Sequence, residues 1–260
     1  MDTVISSVDI FPSYGAGFLF TWRVSGDFNV APPWVFRVEQ ATSITGPWID
    51  ISGPIVDRYF YKEDRRRLIN KSSVLYFRVV LVADNTKYFS SVVNPYGDLN
   101  RKDFLIARDI MRKEVLHMKK MAGTAGQLFT VTTFGPPCLK CRDPITGEIR
   151  FADCDQCFGT GRINPYNGPY DMWMTFSSDS NHDVVDEGAG TLERKIFEVR
   201  MASSIVAKKN DVIVDIGSDK RYYVNKASVI AELRRIPLVQ SLVVSEAPVS
   251  DKIYKIETAR

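Results

Sequence analysis

Cys138-Leu-Lys-Cys141, twelve residues, then Cys154-Asp-Gln-Cys157 is the feature that most restricts how this chain can fold. It uses all four cysteines of the sequence. Each C-x-x-C sets two sulfurs on one tight turn, so both can reach the same ion, and two such turns supply a tetrahedral four-sulfur zinc site. Four protein ligands leave no open coordination position, so the pattern predicts structural zinc rather than catalytic zinc. The segment between the pairs is too polar to order itself, and metal binding of roughly 10–16 kcal/mol, as in small zinc modules, would order it. Two disulfides or four free thiols are the alternatives. A redox pair fits less well, because neither C-x-x-C opens a helix after a strand.

A chain of 260 residues has room for two domains with cores of their own. Hydrophobic residues make up 45% and charged residues 25%, which is ordinary for a soluble globular protein. With 34 basic and 31 acidic residues the net charge is +3, too balanced to argue for nucleic acid or membrane from charge alone. Met1-Asp-Thr-Val has neither a basic nor an apolar region, so no secretory signal is expected. No apolar run reaches membrane-spanning length. Paired cysteines without a signal suit a reducing compartment in which metal holds thiolates. His117 and His182 sit in unrelated contexts and read as surface or packing residues.

Residues 1–96 read as short strands broken by turns. Phe18, Phe20, Trp22 and Val24 alternate on one strand, and Trp34-Val-Phe-Arg-Val-Glu follows Pro32-Pro33. Thr45-Gly-Pro47 is a turn, and Asp84-Asn85 separates Leu75-Tyr-Phe-Arg-Val-Val-Leu-Val from Lys87-Tyr-Phe-Ser-Ser-Val-Val. This predicts a small β sandwich. Tyr14, Trp34, Trp48, Tyr59, Phe60 and Tyr61 read mainly as core, with a sugar platform as the alternative, and 64–67 reads as a solvated charge run.

Asn94-Pro-Tyr-Gly-Asp98 marks a boundary, and residues 97–124 form a linking helical segment. Asn100 is placed to cap a helix from Arg101 to about Met121, which stops near Gly123. Phe104, Ala107, Met111, Val115 and Met118 give it one apolar face. Arg108, Arg112, Lys113, Lys119 and Lys120 read as its solvated face, with nucleic-acid contact as the alternative.

Residues 125–260 read as a second β domain, a small barrel, with the zinc loop 135–169 inserted between two strands. Its strands are placed at Gln127–Phe134, Tyr170–Phe176, Arg194–Ala202, Asp211–Asp215, Arg221–Asn225, Leu238–Val244 and Lys252–Ile256. The polar stretch 178–191 reads as a mobile loop. The expected class is therefore mainly β: sandwich, one long linking helix, and barrel with a four-Cys insertion.

Three resemblances add to this. Trp22, the Trp34-Val-Phe-Arg-Val-Glu-Gln strand with Gly46-Pro-Trp48, and Tyr76-Phe-Arg-Val resemble a fibronectin type III domain. That resemblance implies core roles for Trp22 and Tyr76. Cys154-Asp-Gln-Cys-Phe-Gly-Thr-Gly161 resembles the DnaJ-type zinc region, in which glycines let the backbone turn around the metal, although the first pair lacks such glycines and no J domain is present. Residues 98–260 resemble the head-closure (stopper) and connector proteins of tailed bacteriophages. The residues that carry it are Asp211-Val-Ile-Val-Asp, Arg221-Tyr-Tyr-Val-Asn, Arg235-Ile-Pro-Leu-Val-Gln-Ser-Leu-Val-Val and Lys252-Ile-Tyr-Lys-Ile. Asp143-Pro-Ile-Thr-Gly and Gly159-Thr-Gly also fit an insertion of phage neck proteins.

The last resemblance implies a structural virion protein in a homo-oligomeric ring at the head–tail neck. Its expected partners are portal or adaptor and tail proteins, with packaged DNA passing nearby and no membrane. Metal would be held by Cys138, Cys141, Cys154 and Cys157. A tail or baseplate component of the same type of virion, and a zinc-ribbon nucleic-acid-binding or adaptor protein, are the alternatives. The sequence has no Gly-rich phosphate loop, no G-x-S-x-G and no H-E-x-x-H, so no catalytic residues are expected.

Overall fold

The computed structural model describes residues 4–13, 17–26, 28, 30, 32–63, 75–94, 100–121, 123–143, 145–151, 154–177, 181–186, 191–234 and 236–258. The chain packs as two compact units, Met1–Ile106 with Thr132–Asn167, and Ala107–Val131 with Gly168–Arg260.

The first unit holds β1 (Ile5–Pro12), β2 (Phe18–Val24), β3 (Val35–Ala41), β4 (Ile49–Asp50), β5 (Ile55–Val56), β6 (Phe60–Glu63), β7 (Tyr76–Ala83) and β8 (Thr86–Phe89). They make two antiparallel sheets, β1-β2-β6 and β4-β3-β7-β8, with β5 also on β3. Inward residues two apart bring the sheets together: Phe20 meets Phe77 with ring centroids 5.0 Å apart, and Trp22 meets Phe36 at 5.4 Å. Trp22 and Trp34 are fully buried, as alternation predicts. The β7–β8 hairpin turns at Asp84 and Asn85, both with positive φ, the backbone of a turn that matches strand twist.

Two expectations shift here. The buried aromatic of β7 is Phe77 rather than Tyr76, because Phe77, Val79, Leu81 and Ala83 share the inner face while Tyr76 is half-buried. Of the six aromatics, Trp34 and Tyr59 are core, whereas Trp48, Phe60 and Tyr61 are half-buried. Trp48 is covered by the Arg78 guanidinium, 4.3 Å from its ring centroid. Tyr14 and 64–67 lie outside the described residues.

The helix α1 spans Arg101–Lys120. The Asn100 side chain accepts from the Asp103 N–H at 2.9 Å and donates back to the Asp103 carboxylate at 2.6 Å, so the cap and its third residue satisfy each other. All five residues of the predicted apolar face are buried. The Gly123 N–H bonds the Met118 carbonyl at 2.8 Å. A Cβ on Gly123 would sit 2.7 Å from that oxygen, so the chain turns there because no side chain is in the way.

The second unit is built on β9 (Thr124–Val131), β10 (Tyr166–Phe176), β11 (Asn181–Asp186), β12 (Thr191–Ala202), β13 (Val212–Asp215), β14 (Arg221–Leu233) and β15 (Ile236–Glu246). The order β10-β9-β13-β14-β15-β12 closes through β10–β12 pairing into a six-stranded barrel, with β11 added on β12. Closure buries Leu128, Met174, Val199, Met201, Val212, Ile213, Val224, Leu242 and Val244. Part of the stretch expected to be a mobile loop is strand: 181–186 pairs with 191–196 as the outer hairpin β11–β12. The Lys252–Ile256 stretch is not a strand. Lys252–Lys255 is a 3-10 turn, capped by Asp251 accepting from the Ile253 N–H at 3.1 Å. The buried Arg221 guanidinium holds it by donating to the carbonyls of Ile253 and Ile256, a demand for carbonyls that a strand in a ladder would not meet.

Two buried polar side chains tie the barrel together. Gln240 on β15 accepts from the Ala207 N–H at 3.1 Å and donates to the Ser203 and Ile205 carbonyls at 3.0 and 2.7 Å. Asp211 accepts from the N–H groups of Val131 at 2.8 Å and Lys208 at 2.6 Å. Burial pushes the Asp211 carboxyl up from 3.8 to about 6, against those two donors and the Lys208 charge. The folded chain then keeps a proton that the unfolded chain has released, so this group's contribution is fully present below about pH 4 and is lost as pH rises through 6. The gap corresponds to roughly 3 kcal/mol. Denaturant unfolding at a series of pH values is expected to show the native protein losing stability relative to Asp211→Asn between pH 4 and 6.5. Parallel profiles for the two proteins would contradict this account of Asp211.

Candidate metal centre

The segment that joins β9 to β10 leaves and returns as an antiparallel stem. The Thr132 N–H bonds the Pro165 carbonyl at 2.8 Å, the Ile163 N–H bonds the Pro136 carbonyl at 3.0 Å, and the Cys138 N–H bonds the Gly161 carbonyl at 3.0 Å. Inside its own unit the stem rests on Tyr59. That ring meets Phe134 at 4.8 Å and Phe36 at 5.6 Å, and the Tyr59 N–H donates to Asn167 at 3.3 Å. Gly135 passes so close that a Cβ there would lie 2.7 Å from the Tyr59 hydroxyl.

Beyond the stem the four cysteines converge. Their sulfurs all lie within 4.8 Å of one another, and the residues are 0–5% exposed. Cys138 and Cys154 sulfurs are 3.8 Å apart. Four sulfurs placed tetrahedrally at the metal–thiolate distance of about 2.3 Å would be about 3.8 Å apart, so the spacing has room for one ion at the centre. Cys141 and Cys157 sulfurs are 3.0 Å apart, well beyond the ~2.05 Å of a disulfide, and all four cysteines are free. The structure therefore brings together every residue that the sequence proposed as a ligand and sets aside the disulfide alternative. Of hydrophobic side chains, Ile163 packs against the cluster.

The turns prepare the sulfurs for charge. Cys138 takes backbone N–H bonds from Lys140 and Cys141, and Cys154 takes them from Gln156 and Cys157. Donors aimed at sulfur favour thiolate over thiol. At Cys154 these bonds win, the Cys157 N–H foremost, and its pKa falls to about 7. At Cys138 burial outweighs them and raises the thiol. The Cys141 thiol is raised by its contact with Cys157 and then by burial. Four buried sulfurs in contact are an arrangement a bound cation would resolve, since a coordinating thiol gives up its proton outright.

The second turn needs backbone that most residues avoid. Phe158, Gly159 and Gly161 have φ of 51°, 81° and 73°. The glycines that were read as freeing the chain to turn around the metal do occupy left-handed positions. The Cys157 carbonyl there accepts from the Thr160 N–H at 2.9 Å and hydroxyl at 2.7 Å.

The four cations of the loop are engaged within it. Lys140 pairs with Asp155 at 2.6 Å, and Arg150 forks onto Asp143. Arg142 donates to the Gly147 carbonyl at 2.8 Å and Arg162 to the Gly135 carbonyl at 2.7 Å. Asp143 also accepts from the Ile145 and Thr146 N–H groups, which closes the 143–147 turn. Its carboxyl is held below the usual range, chiefly by Arg150. Beside exposed polar side chains such as Lys140, Glu148 and Asp155, the loop turns three apolar ones outward: Leu139 is 84% exposed, Ile145 92% and Phe151 61%. Sequence reasoning did not find Tyr59, Phe134, Arg142 or Arg162 as supports of the site, and no local motif marks them.

His117 is exposed on α1, and the side chain of His182 lies outside those described. No helix among the described residues is long and apolar enough to cross a membrane. No family model matches this chain, and the search of curated proteins found no match.

Metal analysis of protein purified under reducing conditions is expected to give about one ion per chain, with the metal lost in Cys141→Ser/Cys157→Ser. Proteolysis of that variant is expected to cut 138–161 first while the barrel stays folded. Full native resistance in a metal-free protein would contradict the site.

Proposed function

We propose that this chain is a structural virion protein of a tailed phage, not an enzyme, and that it forms a ring at the head–tail neck. There it would join the portal or adaptor to the tail and help retain packaged DNA. Zinc is the proposed ion, because four buried cysteine sulfurs within 4.8 Å of one another suit it and leave no place for a substrate. The observation that carries the reading is the outer surface of the metal loop. Its four cations are spent on carboxylates or on backbone carbonyls, while Leu139, Ile145 and Phe151 face outward. A stiffened neutral loop with an apolar surface suits a protein neighbour. It suits a phosphate backbone poorly, which disfavours nucleic-acid binding through the zinc ribbon.

Three further points support the reading. The six-stranded barrel with a helix before it agrees with the connector resemblance of residues 98–260. The sheet pair β1-β2-β6 and β4-β3-β7-β8 agrees with a fibronectin type III-like module carried at the amino-terminal side. The metal cluster is closed on all four sides by protein ligands, as a structural site is.

Single-particle imaging of the assembled particle, with the chain tagged at its carboxyl end, tests the proposal. Density for a ring of this chain between portal and tail is the expected result, and Leu139→Asp/Phe151→Asp is expected to leave the chain folded but outside the particle. Finding the chain in the tail or baseplate would replace the neck with that site. Its absence from purified particles would overturn the virion reading.

A further inference from the structure

The exposed side of α1 carries charge that the fold does not neutralise. Between Ala107 and Lys120 there are five basic residues and two acids. Both acids are already committed: Asp109 to Lys113 at 2.8 Å and Glu114 to Arg200 at 3.0 Å. Arg108, Arg112 and Lys120 make no direct ion pair among the described residues, although Arg112 and Arg108 share the field of Asp109, and Lys119 lies over the Trp173 ring at 4.5 Å. Arg108, Arg112 and Lys119 are four and seven residues apart. At about 1.5 Å and 100° per residue they form one column about 16 Å long, spread over roughly 40° of the helix surface. The buried stripe Ala107, Met111, Val115 and Met118 is centred about 85° around the helix from the column and fixes the rotation of the helix, which leaves Arg108 half-buried at the edge of the stripe and Arg112 and Lys119 exposed.

We infer that this column binds the phosphate backbone of duplex DNA without reading its sequence. Over about 16 Å of its axis each DNA strand presents roughly five phosphates, enough to meet three cations without bending the duplex. The column carries cations alone, and Arg and Lys are attracted to every phosphate whatever the sequence, so the contact is chiefly electrostatic. The metal loop takes no part, since its cations are engaged internally. The inference stands apart from the neck reading: a chain that fails to bind DNA could still form the ring, and a DNA-binding chain could still be absent from the neck.

Fluorescence anisotropy of a labelled 30-base-pair duplex, titrated with the full-length chain at 20–200 mM salt, tests it. The plot of log affinity against log salt is expected to be linear, and Arg108→Gln/Arg112→Gln/Lys119→Gln is expected to reduce its slope by about 2.7, from 0.9 for each of three contacts. The same variant is expected to bind at least about tenfold more weakly at 50 mM salt. Lys87→Gln/Lys209→Gln/Lys226→Gln removes the same charge elsewhere on the surface and is expected to bind as the native chain does. Circular dichroism confirms that each variant is folded. No binding at 20 mM salt, or equal loss in both triple variants, would overturn the inference. So would displacement of the duplex by polyglutamate at equal charge concentration, which would mark the column as a site for acidic protein.

Discussion

Four thiols buried within 4.8 Å of one another are the constraint on which the middle of this chain depends. Ile163 is the apolar side chain that packs on them, so hydrophobic burial alone gives the loop little reason to close. The stem bonds and the two N–H-lined turns position the sulfurs, but they leave four buried thiols in contact. A divalent cation would convert that arrangement into a stable one by replacing the protons. The ionic residues around it then order the outside of the loop. Arg150 on Asp143 and Lys140 on Asp155 are surface pairs, individually worth little, yet each ties one turn to another part of the loop.

Much of the fold was legible because periodicity carries it. The face Phe104, Ala107, Met111, Val115 and Met118 follows from 3.6 residues per turn, and all five are buried. Asn100 could be assigned as the cap because its side chain competes for the first free N–H groups of the helix. Period two gave the strands of both β regions. It failed by one residue at Tyr76-Phe77, since two adjacent aromatics in a strand leave the choice of inner face to the residues after them. Lys252-Ile-Tyr-Lys-Ile alternates like a strand, yet the buried Arg221 draws its carbonyls into a 3-10 turn. The β11 strand was missed because Asn181-His-Asp-Val-Val-Asp186 is polar and its pairing comes from the hairpin with β12, not from its own composition.

The site was legible at its ligands and opaque around them. Cysteine spacing encodes chemistry directly, because two sulfurs on one turn must meet whatever the other turn brings. The glycines of Cys-Phe-Gly-Thr-Gly161 announce left-handed backbone in the same local way. Tyr59 and Phe134 are 75 positions apart and meet only after the sandwich and the stem have formed, so no window of sequence contains that contact. Arg142 and Arg162 carry no local signal of their partners, the carbonyls of Gly147 and Gly135. Whether an arginine is free or bonded to a carbonyl such as Gly135 depends on a fold its neighbours do not specify. The proposal of a protein neighbour for the loop rests on that difference.

The account turns on one claim, that four thiolates close around a single zinc ion and leave it no other partner. X-ray absorption at the zinc edge of the purified, reduced chain measures this without any assumption about function. Four sulfur neighbours at about 2.3 Å and no shorter light-atom shell are the predicted result. A nitrogen or oxygen shell at about 2.0–2.1 Å in place of one or more sulfurs, or no bound metal at all, would contradict it.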